Sequence, residues 1–133
     1  KKETAALEKL GVKMDPISPK FDVKTTKENL QVAMDGESHE ITSMYPDFVK
    51  IARDGKLDEA ATAFDYALQV EKKHLALYKK AAAALESKDS KKELQKLPDT
   101  YAVCPVCGNT METPVPDICE ICGEGVASFV AVK

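Results

Sequence analysis

A chain of 133 residues, 44% hydrophobic and 31% charged, suits one ordinary domain or a small domain with a satellite. Its net charge of −3 and pI near 5.5 argue against a nucleic-acid binder, which normally carries a basic patch. No apolar run approaches the roughly 18 residues of a membrane span, no signal peptide is evident, and two Cys-x-x-Cys pairs point to a metal site in a reducing, cytoplasmic setting rather than to disulfides.

Residues 1–10 read as the last turns of a helix, with Ala5, Ala6, Leu7 and Leu10 apolar and Gly11 as the stop. The chain opens on Lys1-Lys2 without an initiating Met, so this helix is expected to be a severed one. Pro16 and Pro19 keep the next segment from being helical. Thr25 then opens a capping box with Glu28. From there Leu30, Ala33/Met34, Glu37, Ile41, Met44, Phe48 and Ile51 recur every three or four residues, predicting an amphipathic helix kinked by Pro46 near Met44-Tyr45.

Asp54-Gly55 ends that helix, and a second repeats the pattern through Leu57, Ala60/Ala61, Phe64, Ala67/Leu68, Glu71, His74/Leu75, Tyr78, Ala82 and Leu85. A connection of about three residues makes the two antiparallel neighbours. Beyond Leu85 the chain turns polar, and Pro98 marks a boundary. The remainder is rich in Cys, Pro and Gly, with β-like runs at 100–103 and 127–132, and is too small to fold without a staple such as a metal. The expected organisation is therefore a helix tail and linker over 1–24, a helix pair over 25–97 and a four-cysteine module over 98–133.

Glu37 and Glu71 stand where the helical stripes call for leucine. Glu37 and Glu40 precede Gly55 by 18 and 15 residues, and Glu71 and His74 follow it by 16 and 19. On adjacent helices the four groups come level, roughly 25 Å above the turn at about 1.5 Å per residue. An ionised carboxylate in a core is costly unless something pairs with it, and divalent cations are the usual remedy for several. A Glu-x-x-His pair facing carboxylates on a neighbouring helix is how helical bundles hold paired iron or manganese ions. Tyr45 lies just beyond the acidic pair, either as a hydrogen-bond donor to a ligand carboxylate or as a core aromatic. His39 points away to the surface, and Tyr78 reads as packing. Cys104-Pro105-Val106-Cys107-Gly108 and Cys119-Glu120-Ile121-Cys122-Gly123 form two thiolate knuckles suited to zinc or a single iron, and spacing leaves both metals open.

Taken together, Glu28-Asn29-Leu30, Gly36-Glu37-Ser38-His39-Glu40, Met44-Tyr45-Pro46-Asp47-Phe48, Ile51-Ala52-Arg53, Glu71-x-x-His74 and the paired Cys-x-x-Cys tail resemble the rubrerythrins. The resemblance implies an α+β chain, with half of a ferritin-like four-helix bundle followed by a small rubredoxin-like β domain. It also implies iron ligation by Glu37, Glu40, Glu71 and His74, with Glu40 able to change coordination with redox state. Cys104, Cys107, Cys119 and Cys122 would hold an electron-transfer iron, with Tyr101 and Phe129 packing that domain. Two features depart from the family: its first helix pair is absent, and Asn109 replaces the usual aromatic after Cys-Gly. A homodimer partner or a separate N-terminal helix pair is expected to complete the bundle. The implied activity is reduction of hydrogen peroxide to water by a di-iron site, fed by an external reductase. Ferroxidase chemistry and a zinc-ribbon interaction module are the competing readings.

Overall fold

A computed structural model describes residues 7–13, 18, 20 and 22–133. The proposed linker prolines Pro16 and Pro19, and residues 1–6 of the first helix tail, lie outside the described residues. Residues 7–9 are helical, and Gly11 at φ 74° stops them as expected. There Val12 N–H reaches back to the Leu7 carbonyl at 3.0 Å, satisfying an end carbonyl of the helix.

Helix α1 spans Thr26–His39. Thr25 and Glu28 cap it reciprocally: the Thr25 hydroxyl accepts from Glu28 N–H at 3.3 Å, and Glu28 Oε2 accepts from Thr25 N–H at 3.1 Å. A π-helical turn, Glu40–Met44, follows, and helix α2 spans Tyr45–Asp54. Pro46 has no N–H to return to the carbonyl four residues back, and its ring clashes with that carbonyl. The backbone responds by widening: Tyr45 N–H bonds the Glu40 carbonyl, five residues back.

This turn corrects the sequence expectation twice. The irregularity begins at Glu40, not at Met44, and it is a widened turn. It also inserts one extra residue, which rotates everything downstream by about 100°. The inward positions therefore shift by one: Val49 and Ala52 are buried at 7% and 3% exposure, while Ile51 is 66% exposed. Tyr45 turns into a cluster with Phe48 and Phe64, at ring distances of 6.2 and 6.4 Å.

Gly55 to Leu57 connect α2 to helix α3, Asp58–Glu86. Gly55 is right-handed; the left-handed residue is Lys56, at φ 58°. Helix α3 packs antiparallel against α1 and α2, as the short connection dictates. It also has a second buried face that its sequence stripe does not reveal. Ala63 and Val70, at 4% and 2% exposure, lie off the stripe, toward the cysteine module. A short helix α4, Ser90–Leu94, falls in the polar stretch after α3.

The C-terminal part forms an antiparallel sheet of β1 (Tyr101–Val103), β2 (Thr110–Glu112) and β3 (Val130–Val132) in the order β2-β1-β3. Ala102 pairs with Met111 on one side and Ala131 on the other, and is buried at the centre. β2 had no sequence signal, and a 3-10 turn at Val126–Ser128 takes the start of the run expected at 127–132. The architecture is α+β, a helical part followed by a small antiparallel sheet.

Lys73–Glu120 at 2.9 Å, the Lys80–Glu112 pair and Val70 against Gly108 join the two parts. Val70→Ala removes two buried methyl groups and is expected to lower stability by roughly 2 kcal/mol. A fall in the urea midpoint at constant slope measures it; an unmoved midpoint would show that this contact contributes nothing.

Candidate metal centres

The π turn and the capped N-terminus of α1 fix the rotation of Glu37, and α3 carries Glu71 and His74 on one face, three residues apart. One ligand atom from each of Glu37, Glu71 and His74 lies within 4.8 Å of the others. His74 Nδ1 lies in hydrogen-bond contact with Glu71 Oε2 at 2.7 Å and stands 3.7 Å from Glu37 Oε1. Its other nitrogen, Nε2, faces the Gly108 carbonyl at 3.3 Å and Thr110 Oγ1 at 3.2 Å. Glu40, one turn beyond Glu37, is not one of the three converging groups, although its charge acts on Glu37. His39 is exposed, as expected, and Tyr78 stands 36% exposed at the edge.

Burial pushes the Glu37 carboxyl up to about 7, aided by a shared hydrogen bond and repulsion from Glu71 and by the Glu40 charge. The Glu71 hydrogen bond raises His74 against the opposing effect of its burial, with the charges of Glu71 and Glu37 adding to the rise. Glu37 Oε2 is buried without a hydrogen-bond partner. Two carboxylates and an imidazole with an orphaned oxygen between them fit a divalent cation, which would replace the shared protons and supply the missing partner.

In metal-free protein the folded chain keeps a proton on Glu37 that the unfolded carboxyl, near 4.5, releases. Stability should therefore fall as pH rises from about 4.5 through about 7, where the folded state binds more protons than the unfolded. Glu37→Gln is expected to flatten that fall while weakening metal uptake, as melting curves of chelated protein at pH values across this window would register. An identical slope in the variant would mean that Glu37 is not the titrating group.

The second centre lies in the sheet module. Gly108 and Gly123 adopt φ of 90° and 76°, conformations that let each knuckle turn after its second cysteine. Gly108 N–H bonds the Cys104 carbonyl and Gly123 N–H the Cys119 carbonyl, each at 2.9 Å. The four sulfurs converge, with Cys104–Cys122 at 3.5 Å and Cys107–Cys119 at 3.6 Å. Metal–sulfur bonds of about 2.3 Å in a tetrahedron give sulfur separations of roughly 3.8 Å, so the cage fits zinc or iron. Burial pushes Cys107 and Cys122 up. Burial works the same way on Cys119, but backbone donors from Cys122 and Ile121, with Cys107 and Asn109, bring it down to about 7. Tyr101 and Phe129 are half-buried in this module.

A cavity of about 350 Å³ lies between the centres, lined by Tyr45, Tyr66, Glu71, Cys104 and Cys107 among others. The sequence reading missed the contacts that His74 makes with Gly108 and Thr110, and the side-chain hydrogen bond from Asn109 to Cys119. Only the polar residue after Cys-Gly hinted at the last.

A helical hairpin with a Glu and Glu-x-x-His cluster, joined to a four-thiolate sheet module, defines a ferritin-like and rubredoxin-like combination. The rubrerythrin family profile matches residues 1–82, and the chain belongs to the rubrerythrin family. These are di-iron proteins, and this chain adds the clustered cysteines of a rubredoxin-like site. Rubrerythrin-2 of Clostridium acetobutylicum is 41% identical over 105 residues, covering 78% of this chain and 54% of that protein. Rubrerythrin of Nitratidesulfovibrio vulgaris is 31% identical over 108 residues, covering 80% of this chain and 55% of that protein. The chain thus spans about half the length of the curated relatives it matches. Fully reduced, all-ferrous nigerythrin shares the fold at a TM-score of 0.78 and 23% identity, over 97% of this chain and 60% of its own. Among the described residues no helix is long and apolar enough to cross a membrane.

Proposed function

We propose that this chain works in the reduction of hydrogen peroxide to water, with electrons arriving one at a time from an external reductase through the four-cysteine centre. Each peroxide takes up two electrons and two protons and leaves as two waters. The observation that carries this reading is the His74 ring, which meets Glu71 through one nitrogen and the Gly108 carbonyl of the cysteine knuckle through the other.

Glu37, Glu71 and His74 Nδ1 would hold iron in the helical part, with Glu40 as the carboxylate able to join them, and Cys104, Cys107, Cys119 and Cys122 would hold one iron in the sheet module. When bound, iron at the helical site supplies electrons and Lewis acidity for O–O cleavage. The protein groups orient and insulate. His74 Nε2–H donates to the Gly108 carbonyl, which fixes the tautomer and leaves Nδ1 for the metal. It also places a hydrogen-bonded link between the Cys107 knuckle and the carboxylate cluster. Tyr45 lines the same cavity as Glu71, and in this reading its hydroxyl is the donor to a ligand carboxylate or a small oxidant.

Three converging donors are fewer than bundle sites use for two metals. A second helix pair, from a homodimer partner or a separate chain, supplies the rest in this reading. Metal content per chain together with native mass tests that assembly. After anaerobic reduction, faster consumption of peroxide than of dioxygen supports the proposal. Faster oxidation by dioxygen makes the protein a ferroxidase instead, and a colourless, zinc-only protein makes it an interaction module.

A further inference from the structure

Asn109 has no exposed surface and is the only buried polar residue among the described residues. Its side-chain amide crosses from the first knuckle to the second and donates to Cys119 Sγ at 3.7 Å. Its backbone N–H faces the Cys107 sulfur, and its backbone carbonyl accepts from Cys104 N–H at 2.9 Å. The equivalent position in the second knuckle is Glu124, whose backbone carbonyl likewise accepts from Cys119 N–H, at 2.7 Å. A carboxylate there has no N–H to offer a sulfur. The side-chain donor is therefore a property of one knuckle only.

Packing does not account for it. Asn109 Oδ1 is buried with no hydrogen-bond partner, an arrangement that carries a desolvation penalty. Leucine has the same branched outline, although it is bulkier, and would carry no such penalty. What the amide offers and leucine does not is an N–H directed at a ligand sulfur.

We propose that Asn109 is a positioning residue that sets the redox poise of the four-cysteine centre by donating a hydrogen bond to the Cys119 thiolate. This rests on the reading that the centre carries a redox-cycling iron. Reduction adds one electron to the iron and no proton, so the metal–thiolate unit gains one negative charge. A donor to sulfur is worth more to the more negative, ferrous state, and hydrogen bonds to the sulfurs are a recognised control on such potentials. Asn109 therefore holds the centre easier to reduce than an apolar residue would.

The test is a potentiometric titration of the iron-loaded full chain beside its Asn109→Leu and Asn109→Asp variants. Both variants lose the N–H, and the second keeps the side-chain shape. Each is expected to shift the ferrous-to-ferric ratio at fixed poise toward ferric by about tenfold or more, about 59 mV for a one-electron couple. Midpoints that stay put or rise in variants with intact red centres overturn the proposal and leave the iron reading standing. A wild-type centre that takes up iron without reversible one-electron reduction overturns both. Should the variants fail to load, cadmium-substituted wild type decides: scalar coupling between the metal and the Asn109 side-chain amide proton is expected, and its absence overturns the hydrogen bond.

Discussion

Stripping the metal from the four-cysteine centre should unfold the sheet module while the helical hairpin stays folded. The module's strands are three residues each, and its buried residues reduce to Ala102, Cys104, Cys119 and Asn109. So small a core cannot offset the ordering entropy of more than 30 residues at about 1–2 kcal/mol each for the backbone. A structural metal on thiolates supplies on the order of 10–16 kcal/mol in comparable small modules, about the whole stability of an ordinary domain. Cys119→Ser should act like the chelator, because Cys119 is 1% exposed and its sulfur also receives the Asn109 amide. Amide spectra would record the outcome: dispersed signals from residues 101–132 collapse while helical circular dichroism persists. Dispersed sheet signals in metal-free protein would show that the cage is secondary to the fold.

On the proposed reading, Glu71→Ala should abolish peroxide reduction and leave a red, iron-loaded four-cysteine centre intact. Glu71 bonds His74 Nδ1 and shares a hydrogen bond with Glu37, so its loss dismantles the cluster from the middle. The expected fall in kcat/KM is at least about 100-fold, roughly 2.7 kcal/mol of transition-state stabilisation. The His74 contact with Gly108 does not involve Glu71, so the sheet module should keep its seat on α3. Steady-state turnover beside the visible spectrum separates the two effects. Undiminished turnover would remove Glu71 from the site, and a bleached centre would show a general loss of structure.

Much of the helical site was legible because its logic is local. Glu37, Glu71 and His74 interrupt apolar stripes at regular spacing, and a three-residue connection leaves only one way to bring two helices side by side. The cysteine cage was legible because paired thiols at short spacing have few other uses. What escaped depends on contacts between elements. Ala63 and Val70 gave α3 no detectable second face, since alanine suits exposed and buried positions alike and a single valine off the stripe makes no pattern. β2 is three residues paired with β1, and its sequence Thr110-Met111-Glu112 has no signal apart from that partner. An uninterrupted 3.6-residue period carried through Pro46 puts Ile51 inward, whereas it is 66% exposed; Phe48, on the same stripe, still packs on Phe64 at 5.3 Å. Proline was recognised as a disturbance, but sequence alone does not say whether a helix bends or takes in an extra residue.

That extra residue bears on how relatives of this chain are compared. A helix with the wide turn at residues 40–44 and one without it can be aligned letter for letter, yet beyond Met44 their side chains are out of phase by more than a quarter revolution. Identical columns would then describe different environments, and a hydrophobic match at Ile51 would mean a contact in one protein and a solvent-facing group in the other. Deleting a single residue from that stretch would reset the phase, which makes it a poor place for the chain to tolerate length variation.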